Sequence, residues 1–191
     1  MTFLGSALEV LIVQRLFVGI ELPVSIRQTL VAMRVDYPSA RWHPAEALHL
    51  TLSFIGQVDQ QTGANMAAAL VDLPATELML TIRGAGFFGS EQKPAVLWAG
   101  VEPSSPLLQL QQEVEQRLLP LGLVADTRPY RPHITLARVK QGGDALRCFL
   151  SRNADLALPP FSVPHVCLYV SHGGSAGVHY EVIERFNLVK R

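Results

Sequence analysis

The chain has 191 residues, of which 49% are hydrophobic and 17% are charged. This composition is sufficient for one packed domain or for two small lobes that share a core, and it excludes an intrinsically disordered chain. Because 16 basic residues balance 16 acidic residues, no overall charge draws the protein to nucleic acid or to a membrane surface, and phosphate recognition requires a local cluster of cations.

The N-terminal segment is apolar but lacks the pattern of a targeting signal. No Lys or Arg precedes its apolar run, no small-residue cleavage site stands out, and the run is too short to span a bilayer. We interpret residues 1–14 as a non-secretory extension and residues 15–191 as a single bilobal domain. Cys148 and Cys167 lack CxxC spacing, which is typical of reduced thiols in a cytoplasmic protein.

The first half of the chain alternates apolar strands with short helices. Residues 15–23, RLFVGIELP, form a predicted strand that stops at a proline. A helix is predicted over 24–37 with Ser25 as its N-cap, and a proline-marked loop leads to a strand over 48–58. The next predicted elements are a helix over 62–73 and a strand over 78–88.

The same order of elements then begins again. Residues 95–103, AVLWAGVEP, resemble the first strand, and an amphipathic helix over 106–122 follows, with Gly122 at its end. A strand over 128–140 completes the second copy. Two copies of strand, helix and strand predict two lobes related by a pseudo-two-fold axis, with a groove between them. The remaining predicted elements are a helix over 143–153 and strands over 161–172 and 179–189.

The strand that ends each copy carries a His-x-Thr motif, HLTL at 49–52 and HITL at 133–136. Side chains of a strand alternate between its two faces. The histidine and threonine of each motif should therefore share the groove face, while the apolar residues between them enter the core. The residues that strict alternation places on the groove face are His49, Thr51, Ser53, His133 and Thr135.

Two imidazoles and two hydroxyls suit acid–base chemistry at phosphorus. An imidazole has an ordinary pKa of about 6.5, so one histidine can accept a proton while the other donates one. Threonine hydroxyls can donate to the phosphate oxygens that carry charge. A single His-x-Thr is usually structural, but two in equivalent positions favour a functional interpretation. A metal site is the alternative, although each motif offers one ligand and no carboxylate.

These features resemble the 2H phosphoesterase superfamily, which is named for two HxTx motifs, and within it the bacterial RNA 2',3'-cyclic phosphodiesterases, also called 2'-5' RNA ligases. Besides the motifs, the resemblance rests on RLFVGIELP, RWHPAEALHLTLSFIGQV, PAVLWAGV, RPYRPHITLARVK and HYEVIERFNL, which follow the family's order and spacing. The sequence departs from the family in residues 1–14 and in LYVSHGG, where the family more often has an acidic or Ser/Arg-containing stretch.

The resemblance implies an α+β fold of two pseudo-two-fold-related lobes, with antiparallel sheets that line a central groove and helices outside. It implies hydrolysis of a terminal RNA 2',3'-cyclic phosphate to a 2'-phosphomonoester without metal or other cofactor, and reversible 2'-5' ligation. His49 would be the proton donor to O3' and His133 the proton acceptor that activates water, with Thr51 and Thr135 on the phosphate oxygens. The implied partners are RNA ends, such as those of tRNA fragments, and the protein is expected to be a cytoplasmic monomer without membrane association.

Four cations surround the second motif and are candidates for contacts with RNA phosphate. An arginine at the position of Arg138 is linked to phosphate in the family. Strict alternation places Arg138 on the face opposite His133, so it needs a bulge or strand twist to reach the groove. Arg131 is a further candidate for substrate binding, and Arg128 and Lys140 complete the cluster.

Three aromatic side chains could stack on a terminal base. The candidates are Trp42, Phe54 and Phe88, but alternation places Phe54 in the core beside Leu52. We interpret His43 as a loop histidine outside the site. Two functional alternatives stay open: a 2H phosphodiesterase for another small ester, such as a 2'-5' oligonucleotide or a cyclic nucleotide, and a non-catalytic RNA-end binder.

Overall fold

The computed structural model describes residues 13–74, 78–174 and 177–188. Of the predicted extension, Val13 and Gln14 belong to the first strand, and residues 1–12 lie outside the described residues. No helix in the described ranges has the length and apolar character needed to cross a membrane.

The described residues contain ten antiparallel strands, distributed over one large sheet and one small sheet. They are β1 (Val13–Glu21), β2 (Arg41–Trp42), β3 (His49–Asp59), β4 (Met79–Leu80), β5 (Ile82–Gly89), β6 (Pro94–Val101), β7 (His133–Arg138), β8 (Phe161–Ser162), β9 (His165–Gly174) and β10 (Gly177–Asn187). The eight-stranded sheet has the order β10-β9-β1-β3-β7-β6-β5, with β2 paired to β7, and β4 pairs with β8 separately. The predicted strands are confirmed with two differences: the segments 78–88 and 161–172 are each divided into two strands, and the strand predicted over 128–140 begins at His133.

Within the ranges that the structure describes, four α-helices connect the strands: α1 (Val24–Ala32), α2 (Gln60–Ala69), α3 (Ser105–Leu118) and α4 (Asp144–Arg152). The predicted cap of α1 is wrong, because the helix follows Pro23 and has no side-chain cap. Asp59 caps α2 by accepting from the backbone N–H of Thr62 at 2.8 Å. Gly122 follows α3 and a short 3-10 turn with a φ of 94°, a left-handed conformation that favours glycine.

The large sheet consists of two halves that meet at the two motif strands. Strands β1, β3, β9 and β10 form one half, and β5, β6 and β7 form the other. Leu50 of β3 pairs with Ile134 of β7, and these are the middle residues of HLTL and HITL. A pseudo-two-fold axis therefore passes close to this pair. The α+β fold with two lobes that the sequence predicts is confirmed.

The helices cover one face of the large sheet and leave the other face to form the groove. The core between sheet and helices includes Val18, Ile20, Leu50, Ile134, Leu107 and Phe149, all buried. Each such side chain stabilises the fold by about 1.5–3 kcal/mol relative to exposure. On the opposite face, a second cluster of Phe17, Cys167 and Tyr169 packs beside the first motif.

Candidate functional site

The imidazoles of His49 and His133 are held by the same backbone interaction. Nδ1 of His49 lies 2.8 Å from the carbonyl oxygen of Ala47, and Nδ1 of His133 lies 2.7 Å from that of Arg131. A carbonyl oxygen can only accept, so Nδ1–H is the donor in both rings. Nε2 of each histidine is therefore left for proton exchange in the groove.

Thr51 connects the first motif to the second lobe. Its Oγ1 lies 3.1 Å from Nε2 of His49, and because Nε2 carries no proton in this tautomer, the hydroxyl donates to it. The backbone oxygen of Thr51 accepts a hydrogen bond from the Tyr130 hydroxyl at 2.8 Å, and Tyr130 belongs to the segment that leads into β7. The two motif strands are thus fixed to each other by a side chain as well as by their backbone pair.

Aromatic rings surround both histidines. The ring centroid of His49 lies 4.7 Å from that of Phe17, 5.5 Å from that of Tyr169 and 4.9 Å from that of Tyr180, which meets it edge-on. Phe88 meets the ring of His133 edge-on at 4.8 Å. These contacts restrict the orientations of both imidazoles and remove part of their surface from water.

The surroundings lower the pKa of both histidines below the ordinary value. The pKa of His49 is lowered to about 4, chiefly by burial; the Ala47 carbonyl acts in the opposite direction, and the charged imidazoles of His43 and His133 contribute to the lowering. Burial also lowers the pKa of His133, partly offset by the Arg131 carbonyl. Both rings are therefore neutral at pH 7 before an anion binds.

Both motif strands contain a bulge at equivalent positions. In the pairing of β1 with β3 the register shifts between Val18 and Gly19, and in the pairing of β6 with β7 it shifts between Leu97 and Trp98. The burial pattern is the same in HLTLSF and HITLAR, with two consecutive buried residues before an exposed one. The bulge changes which face each later side chain occupies.

The bulges overturn two predictions made from strict alternation. Ser53 is buried rather than on the groove face. Phe54 is 70% exposed and pairs with Phe17, with their ring centroids 6.2 Å apart, so the prediction that it lies in the core is wrong. Arg138 occupies the equivalent position in the second motif, and the bulge brings it to the groove face.

The other cations of the second motif differ in their surroundings. Arg128 forms an ion pair with Asp126 and is occupied by that contact. Arg131 is exposed and borders the site through its backbone, since its carbonyl oxygen accepts from Nδ1 of His133. Lys140 is exposed beyond the end of β7.

Of the remaining aromatic candidates, Trp42 lies outside the groove and Phe88 borders it. Trp42 packs against Phe149 of α4, with ring centroids 6.0 Å apart, and therefore belongs to the core side. Phe88 covers the edge of His133 and lies 5.5 Å from the ring of Trp98.

Three rings of the site were not predicted from the sequence, namely those of His43, Tyr169 and Tyr180. His43 is not an isolated loop histidine, because its ring lies parallel to that of Tyr180 at 6.3 Å and Tyr180 contacts His49. Tyr169 stacks on Phe17 at 4.7 Å. The closing strands were predicted, but no local pattern indicates that they deliver tyrosines to the first motif.

One cluster in the described part of the chain offers ligands of the kind that bind metal ions: Glu21, His165 and Cys167 have ligand atoms within 4.8 Å of one another. Arg185 lies 3.2 Å from a carboxylate oxygen of Glu21, and Arg27 lies 3.9 Å from the other. Burial raises the pKa of Cys167 to about 11. Two guanidinium groups and a protonated thiol disfavour a cation at this cluster.

Comparisons with known proteins show the family to which the chain belongs. A sequence profile described as the 2'-5' RNA ligase superfamily matches residues 22–175. A protein of Geobacillus stearothermophilus named RNA 2',3'-cyclic phosphodiesterase is 31% identical over 179 residues, which cover 91% of this chain but 57% of that protein. The chain thus spans little more than half of that relative. A protein of the same name from Escherichia coli K12 is 28% identical over 189 residues, covering 93% of this chain and 98% of the relative.

Two crystal structures show the same fold over nearly the whole chain. E. coli LigT complexed with 3'-AMP superimposes with a TM-score of 0.74 at 27% identity, covering 92% of this chain and 98% of that one. The protein TT0787 of Thermus thermophilus superimposes with a TM-score of 0.78 at 27% identity, covering 91% of this chain and 97% of that one. The arrangement of lobes around the groove is therefore shared with both.

Proposed function

The chain belongs to the 2'-5' RNA ligase superfamily, and on this premise we propose that it is an RNA 2',3'-cyclic phosphodiesterase that produces a 2'-phosphomonoester. The observation that carries the proposal is the matched pair of imidazoles. Each is fixed through Nδ1 to a carbonyl oxygen, and the two flank the pair Leu50–Ile134 at the junction of the lobes. The cyclic phosphate binds between them.

The two histidines carry out the proton transfers. Nε2 of His133 accepts a proton from a water molecule, whose oxygen forms the new bond to phosphorus. The P–O3' bond breaks, and Nε2–H of His49 donates its proton to O3', which leaves as a hydroxyl. The products are a 2'-phosphomonoester and a free 3'-OH. The assignment of His49 as donor and His133 as acceptor rests on the family, since the anchoring of the two rings is equivalent.

Substrate binding prepares His49 for its role as acid. Burial holds the pKa of His49 at about 4, so the ring is neutral at pH 7 in the free protein. A phosphate anion beside Nε2 favours the imidazolium and raises this pKa. The acid is therefore charged when the anion is present, and the hydrogen bond from Thr51 to Nε2 is exchanged for one from Thr51 to a phosphate oxygen.

The remaining contacts hold the two ends of the terminal nucleotide. Thr51 and Thr135 donate to the non-bridging oxygens, and Arg138, brought to the groove face by the bulge, contacts RNA phosphate. Exposed Arg131 is placed along the RNA next to His133. Phe54, 70% exposed beside Phe17, stacks on the terminal base.

We further propose which RNA ends the enzyme acts on, in which oligomeric state and in which compartment. RNA ends with a 2',3'-cyclic phosphate, such as those of tRNA fragments, are the substrates. In the reversible 2'-5' ligation, the 5'-OH of a second RNA takes the place of water in the attack on phosphorus, and O3' is again the leaving group. The protein acts as a monomer without metal or other cofactor. A cytoplasmic location fits the free thiols of Cys148 and Cys167, because reduced cysteines persist in that compartment.

The decisive experiment incubates the purified protein with an RNA that ends in a 2',3'-cyclic phosphate, in EDTA, and identifies the monoester by phosphorus NMR. A 2'-phosphate is expected, and a 3'-phosphate would overturn the proposed bond cleavage. Binding without turnover would instead indicate an RNA-end binder. A parallel panel of 2'-5' oligonucleotides and 3',5'-cyclic nucleotides tests the other esters, and faster turnover of either would displace the RNA end as substrate.

A further inference from the structure

Two arginines lie side by side on the groove face next to the proposed active site. Arg41 of β2 and Arg138 of β7 are antiparallel partners, and directly opposed residues share a face of the sheet. Trp42 packs against Phe149 on the core side, so alternation along β2 turns Arg41 toward the groove. The bulge in β7 turns Arg138 to the same side.

No carboxylate in the described part of the chain neutralises this pair of like charges. Six other arginines in the described ranges form ion pairs with carboxylates within 4.0 Å, whereas Arg41 and Arg138 form none there; the six are Arg27, Arg83, Arg117, Arg128, Arg147 and Arg185. Like charges directly opposed in a sheet are destabilising. Guanidinium groups are well suited to bind phosphate through paired hydrogen bonds, so an anion bound at this pair would remove the repulsion.

His43 adds a third donor and connects the arginine pair to the site. Its backbone N–H donates to the carbonyl oxygen of Leu136 at 2.8 Å, and its own carbonyl oxygen accepts from Arg34 at 2.7 Å. His43 follows Arg41 by two residues and its backbone pairs with Leu136, two residues before Arg138, so it lies beside the arginine pair; burial and the charges of Arg138 and Arg41 lower its pKa. The ring of His43 lies parallel to Tyr180, which contacts His49.

We propose that Arg41, His43 and Arg138 form a second anion subsite, which binds the phosphodiester on the 5' side of the terminal nucleoside. This proposal rests on the proposed function, since it defines which substrate the active site accepts. When the cyclic phosphate lies between His49 and His133, the next charged group of an RNA is that phosphodiester. A free nucleoside 2',3'-cyclic phosphate has no such group, so the subsite selects RNA ends over mononucleotides.

The asymmetry between the lobes supports this placement. The position equivalent to Arg138 in the first motif is Phe54, whose partner on β1 is the aromatic Phe17. One side of the groove thus offers an apolar surface for a base, and the other offers positive charge for a phosphate. The formal net charge of the chain is zero, so this local charge, rather than a general field, would attract the RNA.

The test compares three substrates: adenosine 2',3'-cyclic phosphate, the dinucleotide ApA with a 2',3'-cyclic phosphate, and the same dinucleotide with a neutral methylphosphonate linkage. In the wild-type protein, kcat/KM for the charged dinucleotide is expected to exceed that for the neutral one by about tenfold, the worth of a charged hydrogen bond. The advantage is expected to shrink as salt is raised.

The variant Arg41→Gln is expected to abolish most of this tenfold preference, and Arg41→Lys to retain part of it. Arg147→Gln is the matched control, because Arg147 is an exposed arginine that pairs with Asp144 on α4; its preference should equal that of the wild type. Thermal unfolding of Arg41→Gln should not fall below that of the wild type, since the substitution removes a repulsion.

The outcomes separate this proposal from the proposed function. If the wild-type protein hydrolyses none of the three substrates, the proposed function fails. If it hydrolyses the charged and neutral dinucleotides equally well, or if Arg41→Gln keeps the full preference while folding normally, the second subsite is wrong and the phosphodiesterase activity stands.

Discussion

Leu50 and Ile134 pair with each other at the junction of the two lobes, and each is the residue between the histidine and threonine of its motif. Because the two strands are antiparallel, His49 lies on the same side of this pair as Thr135, and Thr51 lies on the same side as His133. Groups that are far apart in the chain are thus assembled by one backbone contact. Catalysis should depend on both histidines equally, since neither lobe contains a complete site.

Replacing either motif histidine should remove activity without unfolding the protein. We expect His49→Ala and His133→Ala each to lower kcat by about 10²–10⁴-fold, the usual contribution of a general acid or base. His172→Ala is the control, because His172 is exposed and pairs with Glu181. The measurement is single-turnover hydrolysis of the cyclic RNA end, with thermal unfolding in parallel. Near-wild-type turnover in either motif variant would defeat the two-histidine mechanism.

The pH dependence of kcat/KM should be bell-shaped with its maximum below pH 6.5. This parameter reports pKa values of the free enzyme, and burial lowers the pKa of His49 to about 4 and lowers that of His133 as well. The bound phosphate anion favours the imidazolium, so the profile of kcat should lie at higher pH than that of kcat/KM. Both profiles can be measured with one cyclic RNA substrate. If both limbs of the kcat/KM profile lie above pH 6.5, the lowered pKa values of the two buried histidines are contradicted.

Replacing Phe54 should weaken RNA binding and leave the fold unchanged. Base stacking on an aromatic ring is worth about 1–3 kcal/mol, so Phe54→Ala should raise KM by about fivefold or more with little change in kcat. The free energy of unfolding should change by about 0.5 kcal/mol or less, because the side chain is 70% exposed. Leu119→Ala, which removes a side chain 45% exposed at the end of α3, is the control and should leave KM unchanged.

The same residue shows where prediction from the sequence ends. Hydrophobic periodicity identified nearly every strand and helix, and the faces of His49 and His133 follow from alternation alone. The positions of Phe54 and Arg138 do not, because each depends on a bulge that arises from pairing with a neighbouring strand. A bulge shifts the register by one residue and so moves every later side chain to the other face.

The surroundings of the histidines could not be predicted from the sequence either, for a related reason. His43 lies near His49 in the sequence, but its position in the site comes from Tyr180 and from the backbone of Leu136, which belong to distant strands. Pairings of this kind are set by the topology of the sheet. The chemistry of the motifs is therefore visible in the sequence, whereas the features that tune pKa values and select the substrate are visible only in the fold.

Activity should persist without metal ions. The site consists of imidazoles and hydroxyls, and the mixed cluster at Glu21, His165 and Cys167 faces two guanidinium groups. We expect the rate of hydrolysis in excess EDTA to equal that in buffer, and His165→Ala to give the same result. Loss of activity in EDTA with recovery on addition of zinc would favour the metal alternative.

Gly19 offers a test of how closely the first lobe supports His49. A Cβ atom at this position would lie 2.8 Å from the Leu50 carbonyl oxygen, 3.4 Å from the Tyr169 ring and 3.6 Å from the His49 ring. Because the closest atom is backbone, Gly19→Ala must displace β1 from β3, and overpacking of this kind costs about 1–3 kcal/mol of unfolding free energy. His49 moves with β3, so kcat should fall by about tenfold or more even at temperatures where the variant is folded, as a small error in geometry is costly.

Gly173→Ala is the matched control in β9, since its Cβ would meet no atom within 4 Å. Denaturant unfolding and kcat, measured together, decide the matter: if Gly19→Ala matches the control in both, the packing of β1 against the motif strand does not hold His49 in place.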